Sequence, residues 1–204
     1  DAASLMADNG NYFRGGDMHY VDQNGDHRID SKDRVALGSA APDFFGGFYT
    51  QFKYKGFALG AEFSYSKGNM AYNAVRNQLE GMNTLGNQSI AVLNRWSLDG
   101  QVTNMPRVQH NDPYRSTSFS ERWLEDASYL RMKSVTLSYS FDKTALNFFR
   151  SGTLYVSGEN LLTATKYLGL DPEFSYSYGE TSQGLDYAKM VQPKSVKFGV
   201  NLKF

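Results

Sequence analysis

The segment Val196-Lys197-Phe198-Gly199-Val200-Asn201-Leu202-Lys203-Phe204 places a large apolar residue at every second position and a small or polar residue between. In a strand, alternate side chains point to opposite faces, so this segment is greasy on one side and wet on the other. Two environments suit it: the half-buried edge of a soluble sheet, or a barrel wall with lipid outside and a polar lumen inside.

The same period recurs along the chain. Phe44, Phe48, Phe52 and Tyr54 share one face of a strand over 44–54. Lys55-Gly56 supplies a tight turn. Phe57, Leu59, Ala61, Phe63 and Tyr65 then share a face opposite Ala58, Gly60, Glu62, Ser64 and Ser66. A third strand is expected over about 129–141, with Val135, Leu137, Tyr139 and Phe141 aligned, a fourth over about 153–160 and a fifth over 196–204. Met70 to Trp96 is expected to include a helix, and Asn104 to Ser120 to be irregular loop.

The connections alternate in length: two residues at 55–56, then the long stretch 67–127, a short one at 142–152 and a long one at 163–193. Compact soluble domains rarely carry structureless loops that long. Outer-membrane barrels do, with short periplasmic turns and long extracellular loops. With a periplasmic C-terminus, every short turn falls inside and every long loop outside, residues 1–42 included. The expected class is therefore all-β: the C-terminal strands of a large antiparallel transmembrane β-barrel with long extracellular loops. Its organisation is an extracellular loop over 1–42 followed by a barrel segment over 43–204. Five strands cannot close a barrel, so the chain is expected to be part of a larger one. Asp1-Ala2-Ala3-Ser4 has neither the basic start nor the apolar run of a signal peptide.

Composition agrees. The mean hydropathy is negative and no apolar run approaches a membrane helix, but half-apolar barrel strands average out in the same way. Fourteen Tyr and fourteen Phe suit aromatic girdles. The formal charge is zero, which argues against a nucleic-acid binder. Cysteine is absent, which excludes disulfides and thiolate metal sites.

One segment carries metal chemistry. Asp22, Asn24, Asp26, Asp30 and Asp33 occupy positions 1, 3, 5, 9 and 12 of a loop, with Arg28 at position 7, where a backbone carbonyl suffices. Such spacing wraps oxygens around a hard cation, Ca2+ or Mg2+. His27 stands where the sharp turn prefers Gly, and Asp33 replaces a bidentate Glu. The competing reading is an Asp/Asn turn held by side-chain-to-backbone hydrogen bonds. His19, His27 and His110 lack ligand spacing and read as exposed loop residues. Glu121, Glu125 and Asp126, beside Arg122 and Arg131, read as an ion-pair cluster at a strand mouth. Trp96, Trp123, Phe174, Tyr176 and Tyr178 suit either sugar stacking or, preferably, loop packing. No nucleophile elbow, phosphate loop or zinc-helix motif is present.

Several segments together have a recognisable order. Gly16-Asp17-Met18-His19-Tyr20-Val21-Asp22 leads into the acidic loop, then Leu37-Gly38 and Pro42-Asp43-Phe44. Arg122 through Lys133 precedes the third strand; Tyr155-Val156-Ser157-Gly158-Glu159-Asn160-Leu161-Leu162 leads to Thr165-Lys166-Tyr167, Asp171-Pro172-Glu173 and Gly184-Leu185-Asp186. From about residue 16 to 204 the chain resembles the C-terminal end of the SusC/RagA family of TonB-dependent outer-membrane transporters. Ala127, where the family often has Gly, and Ala40-Ala41 depart from its pattern.

The resemblance implies residence in the bacterial outer membrane, in contact with its lipid. It implies a barrel whose remainder and plug lie elsewhere in the polypeptide, TonB coupling through an upstream region, and a SusD-like surface lipoprotein partner. Cargo would be oligosaccharide or peptide. Gln51, Lys53, Glu62, Ser64, Lys197, Asn201 and Lys203 would then face the lumen. The chain is expected to have no enzymatic activity. The alternative is a soluble, calcium-stabilised, carbohydrate-binding β-sandwich; a hydrolase on such a sandwich lacks a defensible acid pair.

Overall fold

The computed structural model describes residues 4–142, 150–174 and 183–204. Five long strands dominate: β1 (Phe44–Tyr54), β2 (Phe57–Lys67), β3 (Tyr129–Asp142), β4 (Ser151–Thr165) and β5 (Ser195–Lys203). They form one antiparallel sheet in the order β5-β4-β3-β2-β1, an up-and-down meander with no crossover.

The β1–β2 hairpin closes through Lys55-Gly56, with φ of 44° and 87°. Two consecutive positive φ values define the turn whose twist matches that of paired strands. Gly56 is required doubly, because a Cβ there would lie 2.7 Å from the Ser140 carbonyl oxygen.

Register assigns the faces. Tyr54 lies opposite Phe57, Phe57 opposite Tyr139, and Tyr139 opposite Leu154, while Val200 lies opposite Leu154 across the next pair. All five therefore lie on one side. The following row adds Phe52, Leu59, Leu137, Val156 and Phe198. The other side carries Lys53, Glu62, Ser64, Ser134, Thr136, Ser138, Thr153, Ser157, Glu159, Lys197 and Asn201.

The third strand changes parity. Val135, Leu137, Tyr139 and Phe141 are odd-numbered, whereas Leu130 and Met132 are even-numbered, yet all belong to the apolar side. A bulge reconciles them: Glu62 pairs with Ser134 and Phe63 with Met132, leaving Lys133 as the extra residue. A one-residue offset flips every side chain beyond it, so the bulge keeps the apolar face continuous.

That face is bare. Phe52, Tyr54, Phe57, Leu137, Leu154 and Val200 are all exposed, and Phe198 reaches 82%. Phe48 stacks on Phe63 with ring centroids 4.7 Å apart, and Phe57 meets Tyr139 with tilted rings at 4.6 Å. A sandwich would bury such a face beneath a second sheet. Soluble monomers seldom expose contiguous apolar area on this scale. Hydroxyls knit the polar face, with Thr136 to Ser157 at 2.8 Å and Ser140 to Thr153 at 3.1 Å.

The chain divides into two compact units. The five-stranded sheet belongs to the unit made of 39–71, 125–184 and 189–204. The other unit gathers 1–38, 72–124 and 185–188. It holds a seven-residue helix, α1 (Ala74–Glu80), capped by the buried Asn73 side chain, which accepts from the Arg76 amide at 2.9 Å. A helix this short does not persist alone in water, so packing sustains it. Trp123, 1% exposed, lies beneath the Arg76 and Arg122 guanidiniums at 5.5 and 5.0 Å from its ring. Met82, Val92 and Met105 form a small apolar cluster.

Candidate functional site

The acidic loop sits in the second unit. Asp22 Oδ1 accepts from the Gly25 amide and Oδ2 from the His27 amide, both at 2.8 Å. Asn24 accepts from the Asp26 amide at 2.9 Å, and Asp26 from the Arg28 amide at 3.0 Å. Asp30 and Asp33 cap the 3-10 turn Ser31–Asp33 reciprocally, and Asp33 also accepts from the Gln23 amide at 2.9 Å. These are successive Asx turns, the local chemistry that favours Asp and Asn in tight loops.

His27 adopts φ of 62°, so the position where the spacing prefers Gly is left-handed in fact. Partial desolvation pushes the Asp22 carboxyl up, but the amides of His27, Gly25 and Asp26 together outweigh it. The group therefore titrates below its ordinary value. Each engaged oxygen keeps a second lone pair, so the loop retains acceptor capacity. Among the described residues, however, no group of three or more acidic or histidine side chains converges as a metal cage.

The ion-pair cluster expected from Glu121, Glu125 and Asp126 with Arg122 and Arg131 does not form. Arg122 lies 4.0 Å from Glu80 and donates to the Asn104 carbonyl. Asp126 takes the Ser128 amide and lies 3.8 Å from Lys67. Glu125 accepts from the Leu168 amide at 2.9 Å. Arg131 turns instead to Asp171 and Glu173. Distant partners in the chain decide these pairs, and proximity in sequence does not reveal them.

The loop tryptophans are packed. Trp96 lies against Gly15 and Gly16, where a Cβ at Gly16 would meet its ring at 2.4 Å, and Trp123 is buried. Phe174 packs on the cluster of Ala71, Ala127 and Tyr167. Tyr176 and Tyr178 lie outside the described residues. His19, His27 and His110 are exposed. Sequence reasoning missed the Asp17 knot: its buried carboxylate takes Arg107 Nε at 2.6 Å, the Gln109 side chain and the Arg14 amide at 2.7 Å. That hydrogen bond raises the Arg107 guanidinium further above its ordinary value.

The residues expected to face a lumen, Gln51, Lys53, Glu62, Ser64, Lys197, Asn201 and Lys203, share one face by register. Lys197 pairs with Glu159, which also takes Ser195 Oγ at 2.9 Å.

No family model matches the chain. It is 33% identical over 200 residues to TonB-dependent receptor P3 of Formosa agariphila, covering 93% of this chain and 19% of that protein. TonB-dependent receptor SusC of Bacteroides thetaiotaomicron is 26% identical over 188 residues, covering 91% and 17%. Among solved structures, the RagAB peptide transporter superposes with a TM-score of 0.73 at 28% identity, covering 86% of this chain and 19% of that one. The RagAB peptide importer in its closed-closed state gives 0.68 at 29%, covering 83% and 18%.

The resemblance read from the sequence therefore holds: over nearly its whole length the chain is similar to TonB-dependent receptors, SusC among them, and its strands match part of the RagAB transporter barrel. These relatives are receptors and transporters, not enzymes. The chain spans about a fifth of their length.

Proposed function

We propose that the chain forms part of the wall and outer loops of a TonB-dependent nutrient importer in the bacterial outer membrane. The observation that carries this is the two-sided sheet: one face continuously apolar and exposed, the other hydroxylated and charged. The apolar face meets lipid. The polar face looks into a lumen shared with the plug and the rest of the barrel. On this reading residues 1–42 lie on the cell surface and 43–204 carry the wall.

Cargo is an oligosaccharide or a peptide. A SusD-like lipoprotein closes the outer side, and TonB acts through a region upstream of this chain. RagAB, described as a peptide importer, and the relatives named TonB-dependent receptors support this reading. The Asp22–Asp33 loop takes a hard cation, Ca2+ or Mg2+, supported by its oxygen spacing and its left-handed turn at His27.

The test is the intact mass of the native polypeptide extracted with detergent from outer membranes. A mass several times 22.9 kDa, with a smaller lipoprotein co-purifying, is the expected result. A freely soluble product of that mass would overturn it.

A further inference from the structure

Arg131 is 3% exposed on the polar face of β3, where an unpaired charge would be costly. Its Nε donates to Thr163 Oγ1 at 3.0 Å, directly across on β4. Its two terminal nitrogens reach Glu173 at 2.9 Å and Asp171. Lys133, the bulge residue, donates to both Glu173 oxygens at 2.7 Å.

Asp171 is the hub. One oxygen takes Arg131 and the Glu173 amide; the other takes the Gln192 amide at 3.1 Å. A single carboxylate thus ties the limb leaving β4 and the limb returning to β5 onto the β3 wall. Nearby, the Leu168 amide is held by Glu125, and Tyr167 packs on Ala71 and Ala127. The stretch Tyr167–Glu173 therefore lies over the polar face, at the end where β3 begins and β4 ends. Below it the same face carries the hydroxylated residues Thr136, Thr153 and Ser157, with Tyr155 among them.

We propose that Arg131 is a positioning residue: it holds the Tyr167–Glu173 limb inward, constricting the outer mouth of the lumen and limiting the size of cargo that passes this wall. The inference rests on the barrel-wall reading above. Releasing the pairing frees the limb and widens the mouth, while the sheet hydrogen bonds stay in place.

The experiment uses the full transporter in whole cells, with a single cysteine at Ser157→Cys or, as a lipid-side control, Phe198→Cys. Maleimides of graded size are added from outside to the parent, Arg131→Met, Asp171→Asn and Arg131→Lys. Heat-modifiable mobility on gels identifies folded barrels. A small maleimide is expected to label Ser157→Cys equally in all of them. A large polyethylene-glycol maleimide is expected to label it several-fold faster in Arg131→Met and Asp171→Asn, with Arg131→Lys between. Folded Arg131→Met and Asp171→Asn barrels without this size-dependent gain would overturn the constriction. Phe198→Cys labelled and Ser157→Cys shielded from even the small reagent would overturn the wall reading, and the inference with it.

Discussion

At the scale of single residues, the Asp22 turn makes three predictions. Its carboxyl titrates below the ordinary aspartate range of about 3.9 because three amides face it. A folded value below the unfolded one stabilises the loop above the unfolded range, and that stability is lost as pH falls through the folded value. Amide exchange at Gly25 and His27, corrected for intrinsic rates, should stay protected at neutral pH and open on acidification below that range. Asp22→Asn should remove the dependence. A protection profile indifferent to both changes would contradict the assigned hydrogen bonds. His27→Gly should stabilise the turn by about 1 kcal/mol, by relieving a left-handed conformation at a residue that carries a Cβ; slower exchange of the same amides is the check. If the loop takes Ca2+, added calcium should slow that exchange in the parent and not in Asp26→Ala.

At the scale of elements, the bulge is the feature most open to test. Deleting Lys133 removes the extra residue, so the ladder runs on with Met132 opposite Phe63 and no change of face. The barrel should still assemble, as judged by heat-modifiable mobility, although Glu173 loses one of its two cations. Failure to assemble would show that the bulge sets more than parity. Gly199 is tighter. A Cβ there would lie 2.2 Å from the Tyr155 ring directly opposite, so Gly199→Leu should cost about 1–3 kcal/mol through overpacking and lower the folded fraction.

The strands were legible because period two survives without tertiary context. Strand β4 reaches Thr165, beyond the expected end near Asn160: Leu161-Leu162 breaks the alternation in sequence, while the ladder to β3 resumes at Leu162 past an irregularity where Asn160 takes φ of 53°. The Asp17–Arg107 and Arg131–Asp171 pairs were illegible. A polar residue's partner 40 or 90 positions away leaves no periodic trace. The acidic loop was legible as a turn, since Asx chemistry is local.

At the scale of the whole molecule, the proposed barrel wall requires one face of this sheet to meet lipid. Among the described residues, Phe52, Leu154 and Phe198 remain exposed on that face. A charge placed there should cost about 2–4 kcal/mol near the bilayer midplane, and one on the lumen side far less. Phe198→Arg should therefore block assembly, while Asn201→Arg should be tolerated. The most direct measurement is a spin-label scan from Val196 to Lys203 in the full protein reconstituted into bilayers, with one lipid-soluble and one water-soluble relaxation agent. Strict alternation is expected: labels at 196, 198, 200 and 202 respond to the lipid-soluble agent, and those at 197, 199, 201 and 203 do not. A scan in which the apolar positions respond only to the aqueous agent, or in which no alternation appears, would contradict it.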